Sequence, residues 1–369
     1  MSTARIVPIT MPKWGLSMQE GKVVEWLVPE GTELKLGDHV LDIETEKIAN
    51  TFDALDAGLL RRIVAQPNEV LPIGALLGVL APAEVSDAEV DAYITEFQKN
   101  YVPPAADEDG AGDGGWKFVE AGGYRLRYSK MGDGARNIVL IHGFGGDADR
   151  WAFTQEPLAA SASVYALDLP GHGQSSKQLN DGSVKHLAAT VIAFMDAVGI
   201  DKAELIGHSL GGAVALQAAV DHPGRVSALA LIASAGLGAE INAGYINGFI
   251  AADSRKEMKP LLEQLVADPE LVTRTLINDM LQFKRIDGVG AALTAIARGF
   301  QDGSQQTVNL RAHLDGLDVP VKVIWGSKDA IIPASHAAGL PAKVKVTVLD
   351  GFGHLVQLEA AAEVNKLLA

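Results

Sequence analysis

The chain has 369 residues, of which 48% are hydrophobic, and its formal net charge is -15. This length can hold two domains with real cores, and an acidic balance without a basic stripe excludes a nucleic-acid binder. The absence of cysteine excludes disulfides, thiolate catalysis and cysteine-based zinc sites, and it fits a reducing cytoplasm. The sequence has no run of eighteen apolar residues and no basic-then-apolar N-terminus, so neither a membrane span nor export is predicted.

Residues 1–83 contain an internal repeat. A shift of 37 positions superposes Gly21 on Gly58 and matches the apolar residues that follow each glycine. These apolar residues recur at strand-like spacings between glycines and prolines, so each half is predicted to form a few short strands. Two such halves would build a small all-β sandwich or flattened barrel with approximate twofold symmetry. The run from residue 44 to 50 joins the halves, so Lys47 is predicted at an exposed hairpin tip.

Residues 4–82 resemble the lipoyl domains of 2-oxo acid and acetoin dehydrogenase complexes. The strongest markers are Met11-Pro12, Gly21, Pro29-Glu30-Gly31, Gly37-Asp38 and the Glu-Thr-Glu-Lys47 turn. The resemblance implies that Lys47 carries lipoate in amide linkage. Related biotinyl domains flank their lysine with methionines, whereas Glu46 and Ile48 flank this one, which favours lipoate. A long arm on a tethered domain raises the effective concentration of its thioester at a distant site, so it would carry an acyl group between sites.

Residues 84–115 are predicted to connect two domains. The helical spacing of its apolar residues predicts one short acidic helix over 85–101. The stretch 103–115 is rich in proline, alanine, acidic residues and glycine, which cannot bury a core, so a mobile linker is predicted. Residues 84–115 hold 1 basic and 9 acidic side chains, which indicates a solvated tether. Acyltransferase chains of the larger 2-oxo acid complexes carry a subunit-binding domain here. This segment is too short for one, so how partners dock is left open.

Residues 116–369 alternate predicted strands and helices, which indicates a mostly parallel sheet covered on both faces. Buried strands are predicted at 137–141, 164–167, 202–206, 226–233, 319–325 and 344–349. Ser209 lies between Gly207 and Gly211, after one of these strands and before a helix of small residues. This is the nucleophile-elbow pattern, a tight turn in which a Cβ at position 207 or 211 would collide with the backbone.

The motifs of residues 116–369 match the α/β-hydrolase fold in order and spacing. The resemblance implies a catalytic triad in the chain order of that fold, with Ser209 as nucleophile, Asp329 as acid and His354 as base. Asp302 and Asp350 compete for the role of the acid, and Asp329 is favoured by its place after the penultimate predicted strand.

The resemblance also implies two oxyanion donors, the backbone N–H groups of Phe144 and Leu210. Phe144 lies in a His-Gly-Phe-Gly-Gly run whose glycines allow close approach to an acyl oxygen. The neighbouring polar residues His142, Asp168, His172 and His208 are interpreted as loop-packing residues. No metal site is predicted, because histidines and acidic residues do not occur at ligand spacing on one element.

The strand pattern stops between about residues 237 and 317, which predicts a helical cap over Ser209. One cap helix is expected to start at Asp268-Pro269, an N-cap residue followed by proline. Such a cap would shape the acyl pocket and exclude water.

The two halves together resemble the dihydrolipoamide acetyltransferase subunit of acetoin dehydrogenase complexes. This implies transfer of an acetyl group from dihydrolipoyl-Lys47 to coenzyme A, by way of Ser209 and His354. It further implies thiamine-dependent acetoin dehydrogenase subunits that load the lipoate, a flavin-dependent dihydrolipoyl dehydrogenase that reoxidises it, and a cytoplasmic homo-oligomer.

One feature departs from the 2-oxo acid complexes. Their acyltransferase domain ends with a His-x-x-x-Asp-Gly site, and the run from His313 to Gly316 has a different spacing. Transfer is therefore inferred from the combination of domains, and the serine chemistry from the motifs. Two alternatives stay open: a lipoyl-tethered thioesterase or esterase that uses water, and a carrier and scaffold protein whose hydrolase half is inert.

Overall fold

The structure is a computed structural model that describes residues 6–12, 18, 20–45, 49–102 and 115–369. The chain divides into two compact units, Met1–Gly114 and Gly115–Ala369. Lys47, with its neighbours Glu46 and Ile48, and residues 103–114 of the predicted linker lie outside the described residues.

The first unit contains two four-stranded sheets. Its strands are β1 (Val7–Thr10), β2 (Glu20–Trp26), β3 (Glu33–Leu34), β4 (His39–Glu44), β5 (Ala49–Asp53), β6 (Gly58–Ile63), β7 (Val70–Pro72) and β8 (Leu76–Leu80). The strand orders are β1-β8-β6-β3 and β5-β4-β2-β7. The repeat of 37 residues places β2, β3 and β4 in register with β6, β7 and β8. Exchanging these partners, together with β1 for β5, converts one sheet order into the other, so the predicted twofold arrangement of short strands is present.

The two sheets enclose one apolar core. Equivalent positions of the repeat are buried in it, including the pair Val40 and Leu77 and the pair Ile43 and Leu80. Trp26 is partly buried and packs against this core, and its Nε1 donates to the Ala65 carbonyl at 3.0 Å. A repeat that alternates apolar and polar residues therefore yields two sheets that share one interior.

Helix α1 (Asp87–Asn100) packs against the first unit. Ser86 and Glu89 form a capping box at its start. Val90 is fully buried in a cluster with residues of β8, and the Tyr101 hydroxyl donates to the Ile73 carbonyl at 2.6 Å. Arg61 of β6 donates to two carbonyls ahead of the helix and to its first carboxylate, Asp87. The helix predicted within the connector is thus part of the first unit.

The second unit, all of whose residues are described, is built on an eight-stranded sheet. Its strands are β9 (Trp116–Ala121), β10 (Tyr124–Met131), β11 (Arg136–Ile141), β12 (Ala162–Leu167), β13 (Ala203–His208), β14 (Val226–Ile232), β17 (Val321–Gly326) and β18 (Val344–Leu349). The order is β18-β17-β14-β13-β11-β12-β10-β9. The pairs β12–β10 and β10–β9 are antiparallel, and the other neighbours are parallel. Every residue of β12 and β13 is buried, as expected for parallel strands that are covered on both faces.

Helices cover this sheet and lie beyond its C-terminal edge. They are α2 (Ala152–Ala159), α3 (Val184–Ala197), α4 (Leu210–Asp221), α5 (Ala243–Ala251), α6 (Arg255–Leu262), α7 (Arg274–Arg285), α8 (Val289–Phe300), α9 (Val356–Glu359) and α10 (Ala361–Leu368). Within the described ranges, each helix is too short or too polar to cross a membrane.

Helices α5 to α8 form the cap, together with a small ribbon of β15 (Gln301–Asp302) and β16 (Gln305–Gln306). The expected helix start at Asp268 is wrong. Asp268 caps only a 3-10 turn over Pro269–Leu271, and α7 begins at Arg274 after its own N-cap, Thr273. Val272, between the turn and α7, is not helical. The two N-cap residues Asp268 and Thr273 therefore start two separate elements instead of one helix.

We predict that Val90→Asp releases α1 from the first unit, because it introduces a charge at a fully buried position. The expected loss is about 2 kcal/mol in the unfolding free energy of this unit, measured by urea unfolding. Hydrogen exchange of the amides in 87–100 should accelerate at the same time. Ala92→Asp places the same side chain on the exposed face of α1 and should change stability by less than about 0.5 kcal/mol. Equal effects of the two variants would contradict the observed packing.

Candidate active site

Ser209 stands at the turn between β13 and α4 in a strained backbone conformation. Its φ is 54° and its ψ is -120°, a region that costs a residue with a Cβ about 1–3 kcal/mol. A Cβ on Gly207 would overlap the Gly211 carbonyl, and one on Gly211 would overlap the Ile141 carbonyl. The Ser209 amide donates to the Ile232 carbonyl at 2.9 Å. Glycine is thus required on both sides of the serine, as the elbow pattern predicts.

The loop after β11 lies directly against Ser209. A Cβ on Gly143 would be 2.9 Å from the Ser209 Cβ, so only glycine permits this approach. Phe144 lies next in this loop, and Leu210 opens α4. In the part of the chain that the structure describes, neither the Phe144 nor the Leu210 amide donates to a protein acceptor. Both N–H groups are therefore available to an acyl oxygen beside Ser209.

His354 follows β18 and is held by Asp329, which follows β17. The His354 Nδ1 donates to Asp329 Oδ2 at 2.8 Å, and the two side chains are 3% and 0% exposed. This bond places the proton on Nδ1 and leaves Nε2 as the basic nitrogen. Such an imidazole can take a proton from a neighbouring hydroxyl.

Asp329 is itself fixed by three further donors. Its Oδ1 accepts from the amides of Ile331 and Ile332 at 2.8 and 3.0 Å, and its Oδ2 accepts from Trp325 Nε1 at 3.0 Å. The competing candidate Asp350 accepts instead from the Ser327 hydroxyl at 2.8 Å. Asp302, the other candidate, lies in the exposed ribbon strand β15. The carboxylate that meets His354 is therefore that of Asp329.

A cavity brings these groups together with the cap. Ser209, His354 and Phe144 all line it. The cap contributes an apolar wall of Ile241, Tyr245, Ile246, Phe249, Leu262, Leu265, Met280 and Phe300. Arg150 also lines the cavity, and its guanidinium contacts the Met280 sulfur at 3.4 Å. The predicted cap thus lies over the serine, and the site is an apolar chamber with a few polar groups at one end.

Three buried histidines support the loops of the site. The Nε2 atoms of His142 and His172 accept from the Leu169 and Gly145 amides, at 3.0 and 3.1 Å. Since an accepting nitrogen carries no proton, both rings are neutral. Burial lowers the pKa of His142, and it lowers the pKa of His172 well below the usual histidine value. The pKa of His208 is also well below that value because of burial, and its Nε2 donates to the His354 carbonyl at 2.9 Å. Their loop-packing interpretation agrees with these contacts.

Sequence analysis identified Asp168 as a loop residue but missed its partner, Arg127. The Arg127 Nε donates to Asp168 Oδ2 at 2.6 Å, with both side chains buried. Asp168 also accepts from the Ala148 and Gln174 amides, both at 2.8 Å. Asp168 therefore joins the loop after β12 to strand β10 through Arg127 and to the loop after β11 through Ala148. The sequence of β10 gave no clear signal, because it carries three charged residues, Arg125, Arg127 and Lys130, of which only Arg127 is buried.

Comparison with known families assigns both units. Residues 136–361 match the model of the alpha/beta hydrolase fold, and residues 7–80 match the model described as biotin-requiring enzyme. The chain is 49% identical over 363 residues to the dihydrolipoyllysine-residue acetyltransferase component of the acetoin cleaving system of Cupriavidus necator. That alignment covers 98% of this chain and 96% of the relative. The component of the same name from Pseudomonas putida is 49% identical over 364 residues, with 98% and 97% covered.

Solved structures of hydrolases resemble the second unit. A meta-cleavage product hydrolase of Pseudomonas fluorescens IP01, complexed with acetates, has a TM-score of 0.63 and 25% identity over 68% of this chain and 95% of its own. The 2-hydroxy-6-oxo-6-phenylhexa-2,4-dienoate hydrolase of a Rhodococcus species has a TM-score of 0.61 and 27% identity, with 69% and 96% covered.

We predict that His172 makes stability fall at acid pH. The unfolded chain protonates this residue near pH 6.5, whereas burial keeps it neutral in the folded chain until the pH is well below that value. Above about pH 6.5 this histidine is neutral in both states and does not lower the free energy of unfolding. As the pH falls from there toward its folded pKa, the free energy of unfolding decreases by up to about 1.4 kcal/mol per pH unit. His172→Gln keeps an acceptor for the Gly145 amide but cannot titrate, so its unfolding free energy should depend less on pH between 6.5 and 5.

The measurement is urea unfolding at several pH values. His313→Gln removes an exposed histidine and should keep the steep dependence of the unmodified chain. Burial raises the pKa of Glu359 and of Glu204, which acts in the opposite direction, but these carboxyls are common to all three proteins. The same slope in His172→Gln and in the unmodified chain would show that His172 does not stay neutral.

Proposed function

We propose that this chain, which belongs to the family of dihydrolipoyllysine-residue acetyltransferase components of acetoin cleaving systems, transfers an acetyl group from S-acetyl-dihydrolipoyl-Lys47 to coenzyme A by a serine mechanism. The observation that carries the mechanism is the arrangement of two side chains. Ser209 is held in a strained turn on the wall of the cavity that His354 also lines, and the Nδ1 of His354 is bound by Asp329.

The lipoyl attachment at Lys47 is supported by the strands on either side of it. Strands β4 and β5 pair antiparallel with Glu44 opposite Ala49, so Lys47 lies in sequence between two adjacent strands of one sheet. The biotin-requiring enzyme model covers this segment. Bound lipoate would supply a thiol that carries the acetyl group as a thioester. The chain's own contribution there is a compact, tethered unit that presents the attachment lysine.

In the first step Ser209 accepts the acetyl group. The Ser209 Oγ attacks the thioester carbonyl, and its proton passes to Nε2 of His354. The tetrahedral intermediate then collapses: the C–S bond breaks, and the leaving thiolate takes the proton from the imidazolium. Asp329 holds the ring in the required tautomer and stabilises its positive charge. The products of this step are acetyl-Ser209 and a free dihydrolipoyl thiol.

In the second step coenzyme A accepts the acetyl group. Its thiol gives its proton to His354 and attacks the acetyl-serine carbonyl. The C–O bond to Ser209 breaks, and the Ser209 oxygen recovers the proton from His354. In both steps negative charge develops on the carbonyl oxygen. We assign its stabilisation to the Phe144 and Leu210 amides, each of which would lower the barrier by about 3 kcal/mol.

A component of an acetoin cleaving system has other subunits as partners. We propose that these are thiamine-dependent acetoin dehydrogenase subunits, which load the lipoyl group, and a dihydrolipoyl dehydrogenase, which reoxidises it. The chain itself is proposed to form a homo-oligomer.

Hydrolysis is the second candidate reaction, and the similarity of the second unit to serine hydrolases favours it. In that reaction water instead of coenzyme A attacks acetyl-Ser209. An inert hydrolase half that serves only as a scaffold is the remaining alternative. One assay separates the three: S-acetyl-dihydrolipoamide supplied with and without coenzyme A.

We predict that Ser209→Ala abolishes acetyl-CoA formation, with kcat falling at least about 10⁴-fold, because the nucleophile is lost. Ser304→Ala, which changes an exposed serine in the cap ribbon, should keep full activity. Intact-protein mass should show the lipoyl increment in both variants and its loss in Lys47→Arg. Acetate release that is independent of coenzyme A would instead assign hydrolysis, and no turnover by the unmodified chain would assign the scaffold.

We predict that Asp329→Asn lowers kcat about 10⁴-fold without unfolding the chain. The remaining oxygen can still accept from the Ile331 and Ile332 amides, but an amide nitrogen facing His354 cannot accept its Nδ1 proton. The control is Asp350→Asn, which makes the same change at the competing candidate and should leave kcat within about twofold. The measurement is kcat for acetyl-CoA formation by both variants. A larger loss in Asp350→Asn than in Asp329→Asn would assign the role of the acid to Asp350.

A further inference from the structure

Glu359, at the end of α9, binds two segments of the second unit with its two carboxylate oxygens. Its Oε1 accepts from the Gly353 amide at 2.9 Å, and its Oε2 accepts from the Ala267 amide at 2.6 Å. Gly353 directly precedes His354 in sequence. Ala267 belongs to the cap, between α6 and α7. One carboxylate thus connects the proposed catalytic base to the cap.

The two segments that Glu359 binds also touch each other directly. The Leu355 amide donates to the Leu265 carbonyl at 2.9 Å, on the other side of His354. A Cβ on Gly353 would lie 2.8 Å from the Ala267 amide nitrogen, so this residue must be glycine for the cap to come so close. Leu265 and Leu355 both line the cavity. The cap segment 265–267 therefore runs along the backbone that carries the histidine.

Hydrogen bonds hold the backbone on both sides of His354. The preceding amide donates to Glu359, the His354 carbonyl accepts from His208, and the following amide donates to the cap. The imidazole is held by Asp329. Two of these four contacts lead to the cap, one of them through Glu359. A shift of the cap at this point would be transmitted to the position of the ring.

The chemistry of the contact requires a carboxylate. Burial raises the pKa of Glu359, and the hydrogen bonds from the Ala267 and Gly353 amides act in the opposite direction, so the two donors offset part of the cost of a buried charge. Both donors are backbone N–H groups, and each needs an acceptor. A glutamine at this position would offer one oxygen and would turn an NH₂ group toward the other N–H, which breaks one of the two bonds.

We propose that Glu359 is a positioning residue that couples the cap to the orientation of His354. This inference rests on the proposed function, because it assumes that His354 is the base for Ser209. It adds that the cap, besides forming the wall of the acyl cavity, sets the geometry of the proton transfer. Misplacement of a catalytic group by about 1 Å can cost about 100-fold in rate, so one hydrogen bond outside the triad can control turnover.

The test compares Glu359→Gln with Glu363→Gln in the full-length, lipoylated chain. Glu363 lies on the exposed side of the next helix, α10, so its variant makes the same change from carboxylate to amide without the two bonds. Acetyl transfer from S-acetyl-dihydrolipoamide to coenzyme A is measured, and the concentration of reactive serine is titrated with a covalent serine reagent. We expect Glu359→Gln to lower kcat per titrated site about 10- to 100-fold. The KM for the acyl donor should change little, because the cavity wall is retained.

A fall in kcat per titrated site at unchanged KM is the readout that a purely structural role would not produce, and hydrogen exchange tests whether the two segments are held together. Peptides containing residues 267 and 353 should lose protection together in Glu359→Gln, while the strands of the sheet remain protected. Glu359→Asp retains both oxygens on a shorter side chain and should recover part of the loss in kcat. If Glu359→Gln fails to fold, Glu359→Asp alone is measured, and it should show intermediate kcat and partial loss of protection at both positions.

Three results would overturn the coupling. The first is a kcat for the folded Glu359 variant equal to that of Glu363→Gln, and the second is a loss of protection at only one of the two positions. The third is a change confined to KM. Failure of the proposed function is seen separately: if Ser209→Ala retains acetyl transfer, the serine mechanism is wrong whatever the Glu359 variants do.

Discussion

The turn at Ser209 depends on backbone segments that meet without side chains between them. The Gly211 backbone lies against the Ile141 carbonyl of β11, and Gly143 lies against the serine Cβ. The positive φ of Ser209 is therefore maintained by the packing of β11, β13 and α4, and the serine cannot relax without separating these elements. In the proposed mechanism the Phe144 and Leu210 amides act together on the acyl oxygen, and the partial positive charge at the N-terminus of α4 would add to these two donors.

The groups behind this turn supply fixed dipoles and little net charge. His142 and His172 are neutral acceptors for loop amides, and burial lowers the pKa of both. Asp168, which accepts from two amides of these loops, is paired with Arg127. In a site of low dielectric, oriented neutral groups stabilise a developing oxyanion without first having to rearrange. The Asp329–His354 pair fits this pattern, since its carboxylate accepts two donors on each oxygen.

Features that depend on local pattern could be predicted from the sequence, and features that depend on distant contacts could not. The repeat of 37 residues predicted the two sheets of the first unit, and the apolar runs predicted the parallel strands to within two residues at each end. The glycines around Ser209 predicted the elbow because the turn itself demands them. The docking of α1 was missed because amphipathic spacing shows which face of a helix is apolar but does not reveal the surface that this face packs against. Arg127 and Glu359 were missed for the same reason, since their partners lie 41 and 92 residues away in sequence.

In the proposed mechanism, the cavity rather than the triad decides between coenzyme A and water as the acyl acceptor. In the proposed mechanism His354 can deprotonate either acceptor, and a thiol, with a pKa of about 8.5, gives up its proton far more readily than water. Water has the advantage of concentration, which the apolar cap wall of residues such as Phe249 and Phe300 reduces. An open cap would admit water to an acyl-serine. If the cap also holds His354 through Glu359, then a displaced cap weakens the base at the moment when water can enter. Transfer to coenzyme A would be favoured over hydrolysis, because the closed position of the cap both orients His354 and excludes water.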